Sequence, residues 1–451
     1  MLLFIGVSLV IIFGYLFSLL IVKEMHLLER LGVSFLLGFG IFTLLMFCYS
    51  SFGIKITTES TIITLAIGIS LLFVFLKLFR GEVFKNPLTM IKRFSTFSIL
   101  EQIIVYMIVA LMTGSLVLSI YFPVYIWDAL ALYDFRARII AQQGFYTQIA
   151  NSFSYFAGYP LFTSLSHTIV YLFKGNNPQF LYSFMYISFI FIFYTILRQF
   201  TDRKKTLIIT LLLASIVDIF DHSTFAYTNL PYTIFLTIGS MYLFTWFAKK
   251  KPVGYLVLAG IFTGLSTWSR AAEPFWIINM LVLVLLTLSK FRKFALPALI
   301  YTVSFMIIKL PWNLIINDQS AAADFAVYSA ITADVNSYIA KLSVTMFSLD
   351  RIGEVAVFIY KNVIVSWFPL FFLFLFYVFV NFKDFFKKTS TLFLTIIFLY
   401  FILLVTGSYV FSFNFSEWIN IPNSAGRMAM FFLPLMVFYI GLSLGELKDK
   451  H

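Results

Sequence analysis

Fourteen apolar runs, most of them close to the length that crosses a bilayer, leave this chain few ways to fold. They fall near residues 1–22, 31–50, 60–79, 99–122, 159–173, 178–197, 206–220, 231–248, 252–269, 274–289, 294–312, 362–381, 390–410 and 428–445. A hydrocarbon core of about 30 Å takes about 20 helical residues, and backbone left open inside it finds no water to bond, so runs of this length fold as helices. With 61% hydrophobic and 12% charged residues over 451 positions, the sequence reads as an all-α polytopic membrane protein. A net charge of +12 would suit an anionic partner in a soluble chain. Here the basic residues lie in short loops between apolar runs, where they act as topology signals, so the partner implied is the lipid bilayer and not nucleic acid.

The loops orient the chain. Basic clusters at Lys77/Arg80/Lys85/Lys92/Arg93, Arg198/Arg203/Lys204/Lys205, Lys249/Lys250/Lys251, Lys290/Arg292/Lys293 and Lys383/Lys387/Lys388 are placed in the cytoplasm by the positive-inside rule. An even number of crossings must separate any two of them. Between Arg93 and Arg198 there are three apolar runs, and the weakest, 159–173, is too short to span and ends in Lys174-Gly175-Asn176-Asn177-Pro178. It is expected to be a half-helix embedded from the outer side against protein. The count is then about thirteen transmembrane helices plus that short outer-side half-helix, with the N-terminus outside and the first run an uncleaved helix. The outer face collects the 123–158 loop, the turns Asp218–Pro231 and Arg270–Pro274, the long 313–361 loop and the 411–427 loop.

The unusual chemistry begins in the first of these, YFPVYIWDALALYDFRARIIAQQGF from Tyr121 to Phe145, where two carboxylates and two guanidinium groups fall within eleven residues. Charge at membrane depth costs about 2.5–3.5 kcal/mol per group on insertion scales, so such a cluster calls for a function. If Trp127–Ile140 is a helix along the membrane surface, Asp128, Leu132 and Arg136 share a face and Asp134 pairs with Arg138 four residues on. Asp128 follows an aromatic run and is either a general base in a partly desolvated setting or the cap of a surface helix. Asp134 is a second candidate carboxylate, or one half of a solvated pair.

Other candidates sit on the same side. The hairpin 252–289 has arms too short for its tip to clear the outer hydrocarbon boundary, so Arg270 needs an anion there; Glu273 at i+3 and a lipid-borne phosphate are the two choices. Lys309 lies near the outer end of its helix and snorkels or binds an anion. Arg427 opens the last helix from outside, as an interfacial anchor or an anion ligand. Asp218, Asp221 and His222 precede Asn229-Leu230-Pro231 and either bind a polar acceptor or form an ordinary turn. One cysteine, Cys48, excludes an intrachain disulfide, and four scattered histidines give no zinc spacing. No cofactor is evident, no clear divalent-metal site appears, and no nucleotide loop is present.

In order, these motifs resemble the GT-C superfamily of integral-membrane glycosyltransferases, nearest to bacterial branches similar to protein O-mannosyltransferases and aminoarabinose transferases. The residues that carry the resemblance are Trp127-Asp128-Ala129-Leu130-Ala131-Leu132 running into Asp134-Phe135-Arg136-Ala137-Arg138, then Gly158-Tyr159-Pro160-Leu161-Phe162. Gly264 to Arg270 with Glu273 and Ser424-Ala425-Gly426-Arg427 through Leu433-Pro434 complete it. It covers about residues 96–440, and departs from the family in having three helices ahead of the catalytic loop's helix and Asn229 where relatives often carry an acid.

The resemblance implies a GT-C-like fold with a juxtamembrane helix in the first large outer loop. It implies N-terminal accessory helices over 1–95, a catalytic module over 96–293 and a C-terminal region over 294–451 with the outer loop 313–361. It further implies a plasma-membrane enzyme, active on the extracytoplasmic side, that moves a sugar from a polyprenyl-phosphate sugar lipid to a glycan, lipid or protein acceptor. Asp128 would be the general base. Arg270 and Arg427, with Lys309 or Arg136, would neutralise the leaving lipid phosphate, and Arg138, Tyr159 and Glu273 would complete the substrate contacts. The alternatives are an O-antigen-type polymerase or ligase and a sugar-lipid transporter.

Overall fold

The computed structural model describes residues 1–80, 97–146, 159–270, 274–320, 348–382, 390–414 and 422–446, and among them every regular element is a helix. The chain runs α1 (Leu2–Ile21), α2 (Leu27–Ser51), α3 (Thr58–Arg80) and α4 (Ile99–Tyr121), then a π-helical turn (Ala129–Asp134) continued by α5 (Phe135–Gln143). Next come α6 (Phe162–Leu172), α7 (Phe180–Leu197), α8 (Arg203–Ala214), α9 (Val217–His222), α10 (Asn229–Lys249), α11 (Val253–Ser269), α12 (Trp276–Ser289) and α13 (Phe291–Ser320). The last part holds α14 (Leu349–Ile359) with a π-helical turn (Tyr360–Val365), α15 (Phe368–Asn381), α16 (Ser390–Asn414), α17 (Pro422–Ala429) and α18 (Leu433–Glu446). The chain is a polytopic helical membrane protein.

Nine helices among the described residues are long and apolar enough to cross a membrane, or ten if Leu349–Val365 and Phe368–Asn381, bent by 90°, make one span. Thirteen crossings were expected from the apolar runs, and the difference lies where a run breaks or stays short. Run 206–220 splits at Ser215-Ile216 into α8 and α9. The hairpin arms α11 and α12 have 17 and 14 residues. The expected outer loop 313–361 is helical at both ends, since α13 continues through Pro311 to Ser320 and α14 begins at Leu349, while 321–347 lies outside the described residues. The run 159–173, expected as a half-helix, holds α6, eleven residues long and buried along nearly all of its length against α5 and α2.

Close backbone approach organises the bundle. A Cβ on Gly14 would lie 2.0 Å from the Ser34 carbonyl oxygen, and one on Gly38 would lie 2.4 Å from that of Val10. Small residues therefore let α1 and α2 touch along their backbones, the packing that substitutes for a hydrophobic driving force inside lipid. The helix α2 is largely buried and packs against α7 as well as α1, so this N-terminal helix is part of the core. A polar network joins five helices: Ser240 of α10 meets Asn279 of α12 (3.1 Å) and Tyr400 of α16 (3.3 Å), while Asn279 and Tyr301 of α13 both donate to Thr263 of α11 (3.2 and 2.9 Å). Each of these five polar side chains thus finds a partner where no water would supply one.

The stretch after α4 is held at both ends. Ser98 and Glu101 form a capping box at the start of α4, and Glu101 also accepts from Arg203 of α8 at 2.7 Å. At the other end the Asn177 and Gln179 side chains donate to the carbonyls of Ser119, Phe122 and Pro123 at 3.1, 2.9 and 3.0 Å. These bonds satisfy the open C-terminus of α4 and fix the direction in which the chain leaves toward Asp128.

Candidate active site

Asp128 stands immediately ahead of the π-helical turn, and its Oδ2 accepts a hydrogen bond from the Tyr227 hydroxyl. The same Tyr227 oxygen accepts from Arg427 Nη1 at 2.7 Å, and that Nη1 is 3.8 Å from Asp128 Oδ2. Three residues, from the loop after α4, the link between α9 and α10, and α17, thus close a triangle of acid, phenol and base. Arg270, at the C-terminal end of α11, donates to the Asn229 side-chain oxygen and lies 5.9 Å over the Phe431 ring. The Asn229 amide nitrogen is 3.4 Å from His222 Nε2, while His222 Nδ1 is 2.8 Å from the Asp218 carbonyl oxygen. A carbonyl only accepts, so Nδ1 carries the proton and Nε2 takes the Asn229 bond: the imidazole is neutral.

Electrostatics agree with that assignment. Burial pushes the His222 imidazole down to about 4; the Asp218 carbonyl opposes the shift, and Arg427 and Arg270 reinforce it. Burial, then the neighbouring Asp221 charge, raises the Asp218 carboxyl to about 6. Burial raises the Tyr227 phenol well above its ordinary range despite Arg427, so it is a donor and not a phenolate. Tyr133 walls the cluster, its ring edge-on to Tyr227 (5.7 Å) and to Tyr159 (6.0 Å) and its hydroxyl 3.0 Å from Thr228.

A second cluster lies behind the first. Asp134 is almost wholly buried; it accepts from Arg138 Nε at 2.8 Å and from the Tyr171 hydroxyl, and stands 3.4 Å from His167 Nδ1. His167 Nε2 in turn meets the Tyr182 hydroxyl at 2.8 Å. Burial alone would raise the Asp134 carboxyl, but His167, Tyr171 and Arg138 outweigh it and hold the group at about 2. Arg136 is buried and donates to the Tyr159 carbonyl oxygen at 3.2 Å. The surface helix was expected to put Asp128 and Arg136 on one face. The π-helical turn between them takes more residues per turn than an α-helix, which breaks the four-residue register, and the two side chains meet different partners.

The candidates therefore separate. Asp128, Arg270 and Arg427 come together around Tyr227 and Asn229, with His222 and Asp218 beside them. Asp134 belongs to the buried cluster that docks α5 on α6, with the exposed Arg138 closing it from outside, Arg136 and Tyr159 lie between the two, and Lys309 Nζ sits 3.9 Å over the Trp276 ring. Glu273 lies outside the described residues. No group of three or more His, Cys, Asp or Glu side chains gathers at metal-binding range among the described residues. Sequence reasoning missed Tyr227, Tyr133, His167 and Tyr171. Among 25 tyrosines none stands out, although Tyr227 lies two residues before Asn229-Leu230-Pro231, and His167 and Tyr171 share a face of α6 at helical spacing. Comparison with family models, with curated proteins and with solved structures gave no match for this chain.

Proposed function

We propose that this protein is a membrane glycosyltransferase that transfers a sugar from a polyprenyl-phosphate donor to an acceptor hydroxyl on the extracytoplasmic face of the plasma membrane. The observation that carries this reading is the meeting of Asp128 with Arg427 and Tyr227, residues from three distant parts of the chain, beside Arg270 held by Asn229. The side chains of Asp128 and Arg427 are each 39% exposed, so a carboxylate and a guanidinium are open to the same space.

In this mechanism Asp128 takes the proton of the acceptor hydroxyl as its oxygen attacks the anomeric carbon. The bond from that carbon to the phosphate oxygen breaks, and the negative charge that develops on the phosphate is met by Arg427 and Arg270. Fixed cations aimed at developing charge contribute most where water is scarce. Arg427 matches phosphate oxygens with a planar fork that a lysine lacks. Asn229 orients Arg270 without adding the competing charge that a carboxylate would bring, and neutral His222 holds Asn229. The partly exposed Tyr159, packed edge-on against the buried Tyr133, offers an aromatic ring on which a sugar can pack.

The test is transfer of labelled sugar from polyprenyl-phosphate donors in membranes carrying the full chain. Asp128→Asn is expected to lower the rate by about 10²–10⁴-fold and Arg270→Ala by about 10²–10³-fold, at unchanged expression. Wild-type activity in Asp128→Asn would remove the base. A wild type that uses no donor, yet moves labelled sugar lipid across vesicles, would make the protein a transporter.

A further inference from the structure

Two aromatic routes meet at the Tyr227 ring. One passes through Tyr133 to Tyr159. The other comes in from the surface: Tyr125 stands edge-on to Phe225 at 5.8 Å, Phe225 meets the His222 ring at 5.7 Å, and His222 meets Tyr227 at 6.3 Å. Exposure falls along this second route, from 52% at Tyr125 to 7% at Tyr227. The segments 125–128 and 225–227 touch at both ends, Tyr125 on Phe225 and Asp128 on Tyr227. At about 3.5 Å of chain per residue, the outer ring pair begins within about 10 Å of Asp128. Trp127, next to the acid, is 79% exposed and packs on no other ring among the described residues. Asp221 is exposed as well, and its charge acts on the Tyr125 phenol through space.

Resting on the glycosyl-transfer reading, we infer that Tyr125, Phe225 and Trp127 form an acceptor platform, and that the acceptor is a glycan of at least two sugars. The terminal hydroxyl reaches Asp128 while the next sugar lies on these rings. A pyranose presents a C–H face that packs on an aromatic ring, and a rim of hydroxyls that need hydrogen-bond acceptors. The three rings supply the first and the Asp221 carboxylate the second. The terminal hydroxyl gives its proton to Asp128 as its oxygen bonds to the anomeric carbon, and the lipid phosphate leaves with the electron pair of the broken bond.

Other occupants fit this strip less well. Rings that merely anchor a protein at the headgroup boundary need no fixed partners and keep company with Lys and Arg. Here the rings touch in a line that ends at the acid, and the charge acting on Tyr125 is a carboxylate's, which an anionic membrane surface repels. An extended peptide adds to an open strand edge, and every regular element among the described residues is a helix. A lipid acceptor calls for an apolar groove with no carboxylate beside it.

The experiment uses the full chain in nanodiscs of lipids without sugar headgroups. The probes are linear hexasaccharides of glucose, mannose and N-acetylglucosamine, used first in calorimetry and then as acceptors for labelled polyprenyl-phosphate donors. At least one hexasaccharide is expected to bind the wild type, and Tyr125→Ala and Trp127→Ala are each expected to weaken that binding about tenfold. The acceptor KM should rise by the same factor, with kcat and the donor KM within about twofold. The corresponding monosaccharide tests whether the rings act on the second sugar: its KM should be the same in wild type and variants. An equal rise for both acceptors would mean that the rings only support the fold, and overturns the platform. So does a wild type that binds none of the hexasaccharides, or binding that both variants leave unchanged; transfer to a peptide or a lipid would then give the acceptor its class. A wild type that turns over no donor removes the glycosyl-transfer reading, while the calorimetry still decides whether these rings hold a glycan.

Discussion

At the scale of single residues, the two acidic positions of the central stretch have different surroundings. Asp128 is half-exposed and shares its oxygen with Tyr227 and Arg427; Asp134 is sealed among Arg138, Tyr171 and His167. Asp134 carries a stability consequence that can be signed. Its carboxyl is held at about 2 in the folded protein against an ordinary 3.8, so the unfolded chain binds the proton first. The stabilisation is therefore complete above about pH 4 and is lost as pH falls through about 2. Asp134→Asn should flatten that acid slope and cost about 2 kcal/mol, the worth of hydrogen bonds to a charged group. Thermal melts of detergent-solubilised protein over this acid range would show it; parallel slopes for wild type and variant would place the acid sensitivity elsewhere. Tyrosines such as Tyr227 and Tyr171 were illegible in the sequence because a residue type so frequent in the chain carries no contrast. Their roles come from which carboxylate they reach.

At the scale of elements, helices were legible and their breaks were not. Apolar length announces a helix, but whether a run of polar and β-branched residues bends it depends on what packs alongside. That is why 206–220 reads as one segment and folds as α8 and α9, and why the segment before Asn381 turns by 90° at Ser366-Trp367. Residues 159–173 were legible as a short segment because length alone sets a limit, and α6 has eleven residues. The α1–α2 contact makes a further expectation. Gly14→Ala would press a methyl group to within 2.0 Å of the Ser34 carbonyl, with backbone and no flexible side chain to give way. The two helices must part, and the cost should exceed about 2 kcal/mol, lowering the detergent melting temperature and the folded yield. Gly53, where a Cβ meets nothing within 4 Å, is not a neutral comparison because its φ of 82° already disfavours a side chain. Gly353, with the same open space and no such dihedral, is the better control.

At the scale of the whole molecule, the candidate site draws on residues separated by hundreds of positions, and the outer face proposed for it rests on loop charge. In a Cys48→Ser background, a cysteine at exposed Trp127 is expected to react with a membrane-impermeant maleimide on intact cells. One at Lys251 should react only after the membrane is opened. Equal labelling of both from outside would invert the orientation and take the site to the cytoplasm.

The sequence by itself determined that the chain is helical and membrane-embedded, because 61% hydrophobic composition in bilayer-length runs leaves the backbone no other way to satisfy itself. It also determined which residues were worth watching, since charge is costly in such a setting. Only the tertiary structure decided that Asp128, Arg270 and Arg427 converge while Asp134 is buried in a separate cluster that the exposed Arg138 reaches from outside. Spacing along one helix fixes neighbours within a few residues, but a π-helical turn shifts that register and contacts between distant helices depend on how the whole bundle packs. The phenol of Tyr227 joins acid to base only after three distant stretches of chain have been brought to one place.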